Sequence, residues 1–261
     1  EANPLKPISA QRTECILIIL DLSQSMKKRM GKANRLEVAR LAFKEAIEAI
    51  PEETELGLRL LGHKGSRDQA CEETELVVPF GSDNKKVIIE KIETSKAVGQ
   101  KTPLHFTLER ALEDFSGKAG KNKIILLSDG EETCRKDPLE LTGRFVDLGI
   151  PIHSIGIGDI MPFSQLGRLS LETGGEFRLG SNLDALKDAL SGSLNLPGKG
   201  GAGTQGQTPS GGKAGAQPKS PALDFSSMMK IIPLPSFESE IDKMMQHAQQ
   251  DQEQAAGQEE E

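Results

Sequence analysis

The chain has 261 residues, which is enough for one or two domains. Its 32 Lys and Arg residues stand against 39 Asp and Glu residues, a formal net charge of −7. This balance argues against a nucleic-acid-binding protein, because such proteins normally present a basic face. The longest apolar run, Cys15–Leu20, is far shorter than the roughly 20 residues of a membrane-spanning helix. We therefore expect neither a nucleic-acid partner nor a membrane span.

Strands and helices are predicted to alternate along the first three quarters of the chain. Continuous apolar runs indicate buried strands, and apolar residues at helical spacing indicate amphipathic helices. In chain order, the pattern predicts a strand at Cys15–Leu20, a helix at Arg35–Ile50, strands at Leu56–Leu61 and Leu76–Phe80, helices from Asp83 to Ile92 and from Pro103 to Phe115, a strand at Ile124–Leu127, a helix from Pro138 to Leu148, a strand at Ile152–Ile157, a helix from Phe163 to Thr173, a strand at Glu176–Leu179, and a helix from Leu183 to Leu194 capped by Asn182. This order predicts an α/β fold, a doubly wound and mostly parallel central sheet flanked by helices.

The composition changes abruptly near Leu196. From Pro197 to Pro221, Gly, Pro, Gln, Ser and Lys dominate, and such a stretch lacks the apolar area that would offset the entropy of ordering. We interpret it as a flexible linker followed by a disordered tail. The predicted organisation is an N-terminal extension at 1–12, a domain at 13–195, a linker at 196–222 and a tail at 223–261.

The tail contains one patterned segment, residues 236–250. Its apolar side chains at Phe237, Ile241, Met244 and Met245 fall on one helical face. Two interpretations stay open: a marginal, solvated helix, or a docking motif that folds on a partner.

Polar residues follow two of the predicted buried strands. The first strand ends in Asp21, Ser23 and Ser25, and the strand at 124–127 is followed by Asp129. Thr102 lies just before the helix that Pro103 begins. Because ligands of open α/β sheets lie beyond the carboxyl ends of the strands, we expect these side chains to meet. Carboxylates and hydroxyls are hard oxygen donors of the kind Mg²⁺ prefers, whereas Zn²⁺ favours nitrogen and sulfur.

The chain carries, in order, an Asp-x-Ser-x-Ser run, a later Thr and a later Asp-Gly. This pattern resembles the metal-ion-dependent adhesion site of von Willebrand factor A (vWA) domains. The resemblance covers about residues 13–194. It implies that Ser23, Ser25 and Thr102 ligate a metal through their hydroxyls. It further implies that Asp21 and Asp129 act directly or through water, and that Mg²⁺ is the metal, with Mn²⁺ or Ca²⁺ as alternatives. A protein partner that offers a carboxylate would complete the coordination.

Two positions differ from the usual family pattern, which has glycine where this chain has Gln24 and Lys101. Glycine eases tight backbone turns, and a lysine that pointed at the site would repel a cation. These positions therefore bear on the affinity of the expected metal site.

The runs Ser128–Cys134 and Gly62–Glu72 resemble the bacterial, exported branch of this family. That branch carries Cys at the positions of Cys71 and Cys134, which implies a disulfide, with two free thiols as the alternative. Cys15 opens a buried strand and is expected to behave as a small apolar residue. The first residue is Glu1, which a removed signal peptide or a truncated chain would each explain. We expect an exported protein, periplasmic or at the cell surface.

Enzymatic alternatives lack the residues they need. An aspartyl-phosphate enzyme built on Asp21 would want a second acid at position 23, which is Ser23. The Ser positions lack a G-x-S-x-G elbow, and no phosphate-binding G-x-x-x-x-G-K-[ST] loop occurs. The sequence thus predicts a binding module and not an enzyme. An assembly scaffold acting through the tail is the second hypothesis, and a metal-assisted hydrolase is the third.

Overall fold

A computed structural model of the chain describes residues 14–65, 67–158, 160 and 164–196. The predictions for the extension at 1–12, for the linker at 196–222 beyond its first residue, and for the tail at 223–261 with its helix at 236–250 lie outside the described residues.

The described chain alternates strands and helices as predicted. The strands are β1 Glu14–Asp21, β2 Arg29–Met30, β3 Ala33–Asn34, β4 Glu55–Leu61, β5 Thr74–Gly81, β6 Lys121–Ser128, β7 Ile152–Ile157 and β8 Phe177–Gly180. The helices are α1 Arg35–Ala49, α2 Lys85–Thr94, α3 Leu104–Asp114, α4 Thr142–Asp147, α5 Gln165–Thr173 and α6 Leu183–Ser193, with 3₁₀ turns at Gln24–Lys27, Ala70–Glu72 and Pro138–Leu141. No helix within these described ranges is both long and apolar enough to cross a membrane.

Six of the described strands form one sheet in the order β5-β4-β1-β6-β7-β8. All neighbouring strands run parallel except β5, which lies antiparallel to β4 at one edge. Strand β1 is central: Leu17 is opposite Gly57 of β4 on one side and Ile124 of β6 on the other. The predicted doubly wound, mostly parallel sheet is confirmed.

Both faces of the sheet are covered, which explains the uninterrupted apolar run of β1. Alternate residues of β1, such as Ile18, belong to the core that includes Phe43 of α1. The residues between them, such as Leu17, belong to the core on the opposite face, with Leu108 of α3 and Phe145. Because β1 is buried on both faces, the chain that leaves its carboxyl end has a fixed position.

Local details differ from the sequence prediction in three places. Helix α2 begins after Asn84 and not after Asp83, because the Asn84 amide donates to the Leu56 carbonyl oxygen at 2.9 Å and ties this turn to β4. The helix expected at 138–148 divides into a 3₁₀ turn and the short α4. The hairpin β2–β3 was not predicted, since its strands of two residues each are too short to show a period.

Candidate metal centre

Asp21 lies at the carboxyl end of β1 and has no exposed surface. Its Oδ1 accepts a hydrogen bond from the Ser23 backbone N–H at 2.7 Å, and its Oδ2 accepts one from the Ser128 hydroxyl at 2.5 Å. Burial raises the pKa of Asp21 to about 6, while the hydrogen bonds from Ser128 and Ser23 lower it and the nearby Asp129 raises it further. A cation beside this carboxylate would favour its charged form.

The two serines connect Asp21 to the second carboxylate. The hydroxyl oxygens of Ser23 and Ser25 are 2.9 Å apart, and the Ser25 hydroxyl donates to Oδ1 of Asp129 at 2.5 Å. Ser23 is extended, and the 3₁₀ turn that follows brings Ser25 back towards the end of β6. Gln24 is exposed and does not have a positive φ, so this turn does not require the glycine usual in the family.

Thr102 reaches the same place from the segment that precedes α3. It is buried, and a Cβ built on Gly130, the residue after Asp129, would lie 4.0 Å from its Oγ1. Its backbone N–H donates to the Thr133 hydroxyl at 2.8 Å, and its carbonyl oxygen accepts from the Thr133 N–H at 3.3 Å. The neighbouring Lys101 is exposed. The structure therefore brings all five predicted side chains to one edge of the sheet.

Arg35 also belongs to this site, although the sequence analysis assigned it only to the start of a helix. Its Nη1 forms an ion pair with Oδ2 of Asp129 at 2.5 Å, and the side chain of Asp129 is fully buried. The Arg35 Nε is buried without a hydrogen-bond partner. A Cβ at Gly158 would collide with the guanidinium, so the absence of a side chain there makes room for Arg35. The spacing of the residues around Arg35 indicates a helix and carries no signal of this contact.

Ser128 is the second residue that the sequence analysis did not assign a role. It is fully buried at the end of β6, where it hydrogen-bonds Asp21 across to β1. Its position directly before Asp129 was the available signal, because a hydroxyl that ends a buried strand needs a partner.

The donor set fits a hard cation. Two carboxylates and three hydroxyls converge, and no nitrogen or sulfur ligand takes part. Among the described residues, no group of three or more His, Cys, Asp or Glu side chains is placed to hold a metal, as a zinc site would require. Mg²⁺ is bound through one or two carboxylates and further oxygens, usually with some of its waters retained. Asp21, Ser23, Ser25, Thr102 and Asp129 are thus the residues that could hold such an ion.

A disulfide between Cys71 and Cys134 joins two loops at this edge, with their Cα atoms 5.5 Å apart. Cys15 is a free, buried cysteine in the apolar core. The implied disulfide and the apolar role of Cys15 are therefore confirmed.

Comparison with known proteins agrees with this architecture. Residues 16–132 match the family model of the von Willebrand factor type A domain. The fold of the described residues is vWA-like. The match ends two residues before Cys134, but the layers of the vWA fold continue through β7, β8 and α6.

The chain is also similar to several bacterial proteins. The chain is 25% identical to YwmD of Bacillus subtilis (strain 168) over 199 residues, which are 72% of this chain and 88% of the relative. The solved structure of BatB from Bacteroides thetaiotaomicron covers 70% of this chain and 99% of its own, with a TM-score of 0.55 and 15% identity. A von Willebrand factor type A protein from Catenulispora acidiphila gives a TM-score of 0.57 at 18% identity, covering 70% of this chain and 42% of its own. At these identities the solved structures establish the fold alone.

Proposed function

We propose that this vWA domain binds a divalent cation, Mg²⁺ in the first instance, and through it a carboxylate of a protein partner. The observation that carries the proposal is the continuous set of oxygen donors from Asp21 through Ser23 and Ser25 to Asp129. Thr102 completes the set from a third segment. A bound Mg²⁺ would supply a positively charged centre that accepts a further oxygen ligand.

The charges of the surrounding residues favour an anionic partner. Asp21 and Asp129 contribute two negative charges, and the buried guanidinium of Arg35 offsets one of them. The three hydroxyls contribute none. A divalent cation would therefore leave the loaded site with a net positive charge, which attracts a carboxylate and not a cationic side chain.

The residues of the chain have distinct roles in this proposal. Ser128 and the Ser23 N–H orient the Asp21 carboxylate by two hydrogen bonds. Arg35 and Ser25 each occupy one oxygen of Asp129, and this fixes the plane of that carboxylate. The proposal gives no residue of the site a proton-transfer or nucleophilic role and treats the domain as a binding module.

The same proposal places the protein outside the cytoplasm, in the periplasm or at the cell surface. The disulfide supports this, since disulfides persist in oxidising compartments and are rare in the cytosol of mesophiles.

The test is the melting temperature of the full chain in EDTA and in Mg²⁺, for the parent and for Asp21→Asn. Ligand at 100 times its Kd stabilises the folded state by about 2.7 kcal/mol, so the parent should melt higher in Mg²⁺. Asp21→Asn keeps the shape of the side chain but removes the charge, and should lose the metal-dependent rise. Thr94→Val is the matched control, because Thr94 is exposed on α2 and bonds only within its own helix.

Partner binding is tested by capture from an envelope fraction in Mg²⁺ and in EDTA. Capture that requires Mg²⁺ and is lost in Asp21→Asn supports the proposal. Capture that persists in EDTA but disappears when residues 223–261 are deleted would instead assign the interaction to the tail.

A further inference from the structure

The loop that follows Asp129 is bonded to the segment that carries Thr102. Thr133 makes two hydrogen bonds with the backbone of Thr102, one through its hydroxyl at 2.8 Å and one through its N–H at 3.3 Å. These bonds fix the main chain of Thr102 on both sides of its Cα. Thr133 is therefore in direct contact with a proposed ligand without belonging to the oxygen donor set.

The adjacent residue, Glu132, ties the same loop to the start of α3. Its Oε2 accepts from the backbone N–H of His105 at 2.7 Å, and its Oε1 accepts from the N–H of Cys134 at 2.5 Å. The residue at the N-cap position of α3, Pro103, has no side-chain hydrogen bond to offer. Glu132 thus satisfies an open donor of the first turn from another loop, and its negative charge suits a helix N-terminus.

The disulfide continues this connection to a third segment. Cys134 is bonded to Cys71, whose loop returns to Gly62, because the Gly62 N–H donates to the Glu73 carbonyl oxygen at 2.9 Å. The backbone at Gly62 is packed closely against the site: a Cβ there would lie 3.2 Å from the Ser23 nitrogen and 3.3 Å from the Lys101 carbonyl oxygen. The disulfide therefore joins two loops that both contact the segments carrying the proposed ligands.

A cavity of about 190 Å³ lies beside the disulfide, lined by Cys71, Glu72, His105, Phe106, Glu109, Glu132, Cys134 and Lys136. The loop is also tied to α5, because the Glu132 N–H donates to Oε1 of Gln165 at 2.9 Å. The disulfide and the hydrogen bonds that Glu132 and Thr133 make to His105 and Thr102 are the restraints that join the loop to α3 and to the segment carrying Thr102.

We propose that Glu132, Thr133 and the Cys71–Cys134 disulfide form a clamp that positions Thr102, and that Mg²⁺ affinity depends on this clamp being closed. This inference rests on the proposed function, because Thr102 matters to the clamp as a metal ligand. Glu132 and Thr133 are positioning residues: they act through Thr102 and α3 and are not ligands themselves.

The first test measures the hydrogen-exchange rate of the Thr102 amide in EDTA, where no metal is bound. Thr133→Val removes the acceptor and keeps the shape and the disulfide. It should speed Thr102 exchange by about tenfold, the effect of losing one hydrogen bond, while the Leu17 amide in the central strand is unchanged. Thr133→Ser restores the hydroxyl and should return the parent rate, and Thr94→Val is the control substitution.

The second test measures Mg²⁺ affinity by calorimetry for Thr133→Val and for the Cys71→Ser/Cys134→Ser pair, below the unfolding temperature of each. Both should weaken Mg²⁺ binding by about tenfold, as expected when one ligand loses its fixed position. The matched variant Thr94→Val should leave the Kd unchanged.

The outcomes separate the clamp from the proposed function. Thr102 exchange that stays at the parent rate in Thr133→Val overturns the clamp, whatever the metal result. Faster exchange with an unchanged Kd overturns its role in metal affinity. If the parent binds no Mg²⁺, the proposed function fails, and the dependence of metal affinity on the clamp fails with it. Faster exchange together with a higher Kd supports both.

Discussion

Two buried Arg–Asp pairs in this domain differ in how completely they are satisfied. Arg59 of β4 and Asp114 of α3 form two parallel hydrogen bonds of 2.7 Å, and Arg59 also donates to Thr74. Arg35 contacts Asp129 through a single nitrogen, and its Nε is buried without a partner. The first pair occupies both oxygens of its carboxylate, whereas the second shares Asp129 with Ser25.

The positions of the two pairs agree with this difference. Arg59 and Asp114 connect a strand to the helix packed on its face, where a saturated pair satisfies buried polar groups. Arg35 and Asp129 lie at the carboxyl edge of the sheet, beside the oxygen donors proposed to hold a metal. We infer that the Arg59 pair is structural and that the Arg35 pair tunes a binding site.

Breaking the structural pair should have the largest effect on stability. Asp114→Asn leaves a buried guanidinium without its carboxylate, and such a loss costs about 3–5 kcal/mol. Urea unfolding should show this loss in the free energy of unfolding, with little change in Mg²⁺ affinity. Asp129→Asn should lose less stability, because it also removes a buried negative charge that opposes the charge of Asp21. It should abolish the Mg²⁺-dependent rise in melting temperature. Equal effects of the two substitutions on metal binding would remove the distinction between the pairs.

Removing the charge of Arg35 should strengthen Mg²⁺ binding. Arg35→Gln keeps a hydrogen-bond donor near Asp129 but deletes a buried cation that opposes a second one. We expect calorimetry to give a Kd for Mg²⁺ that is lower by at least about tenfold. This change is small compared with the Coulomb repulsion between two nearby positive charges in a partly screened site. The matched variant Arg59→Gln should destabilise the domain and leave the Kd unchanged. Weaker Mg²⁺ binding in Arg35→Gln would show instead that Arg35 acts mainly by orienting Asp129.

The sequence allowed the fold and most of the site to be predicted for physical reasons. Buried strands require continuous apolar runs, and these runs placed β1, β6 and β7 within a few residues of their observed bounds. Asp21, Ser23 and Ser25 follow one another in the chain, so their proximity is local. Thr102 and Asp129 could be added because the carboxyl ends of parallel strands share one edge.

Contacts made by side chains across the fold could not be predicted in this way. Arg35 begins a helix, and nothing in its neighbours indicates that its guanidinium reaches Asp129, 94 residues later. The bonds from Thr133 to Thr102 and from Glu132 to α3 depend on how one loop folds back on another. Periodicity describes which face of an element is buried, and it carries no information on such contacts.

The smallest expected effect concerns His153, which lies near the amino end of β7 and away from both Arg–Asp pairs. Burial lowers the pKa of His153, and Lys123 lowers it further. In the unfolded chain this imidazole titrates near its ordinary pKa of about 6.5, so below that pH the unfolded state binds more protons than the folded state. The free energy of unfolding should therefore fall as the pH drops through and below this value. His153→Gln should flatten that part of the stability curve while Mg²⁺ affinity at neutral pH stays at the parent value. A slope that persists in His153→Gln would assign the pH dependence to another group. Asp21 is not that group, because its raised pKa makes the folded state bind more protons than the unfolded state, and this raises the free energy of unfolding as the pH falls.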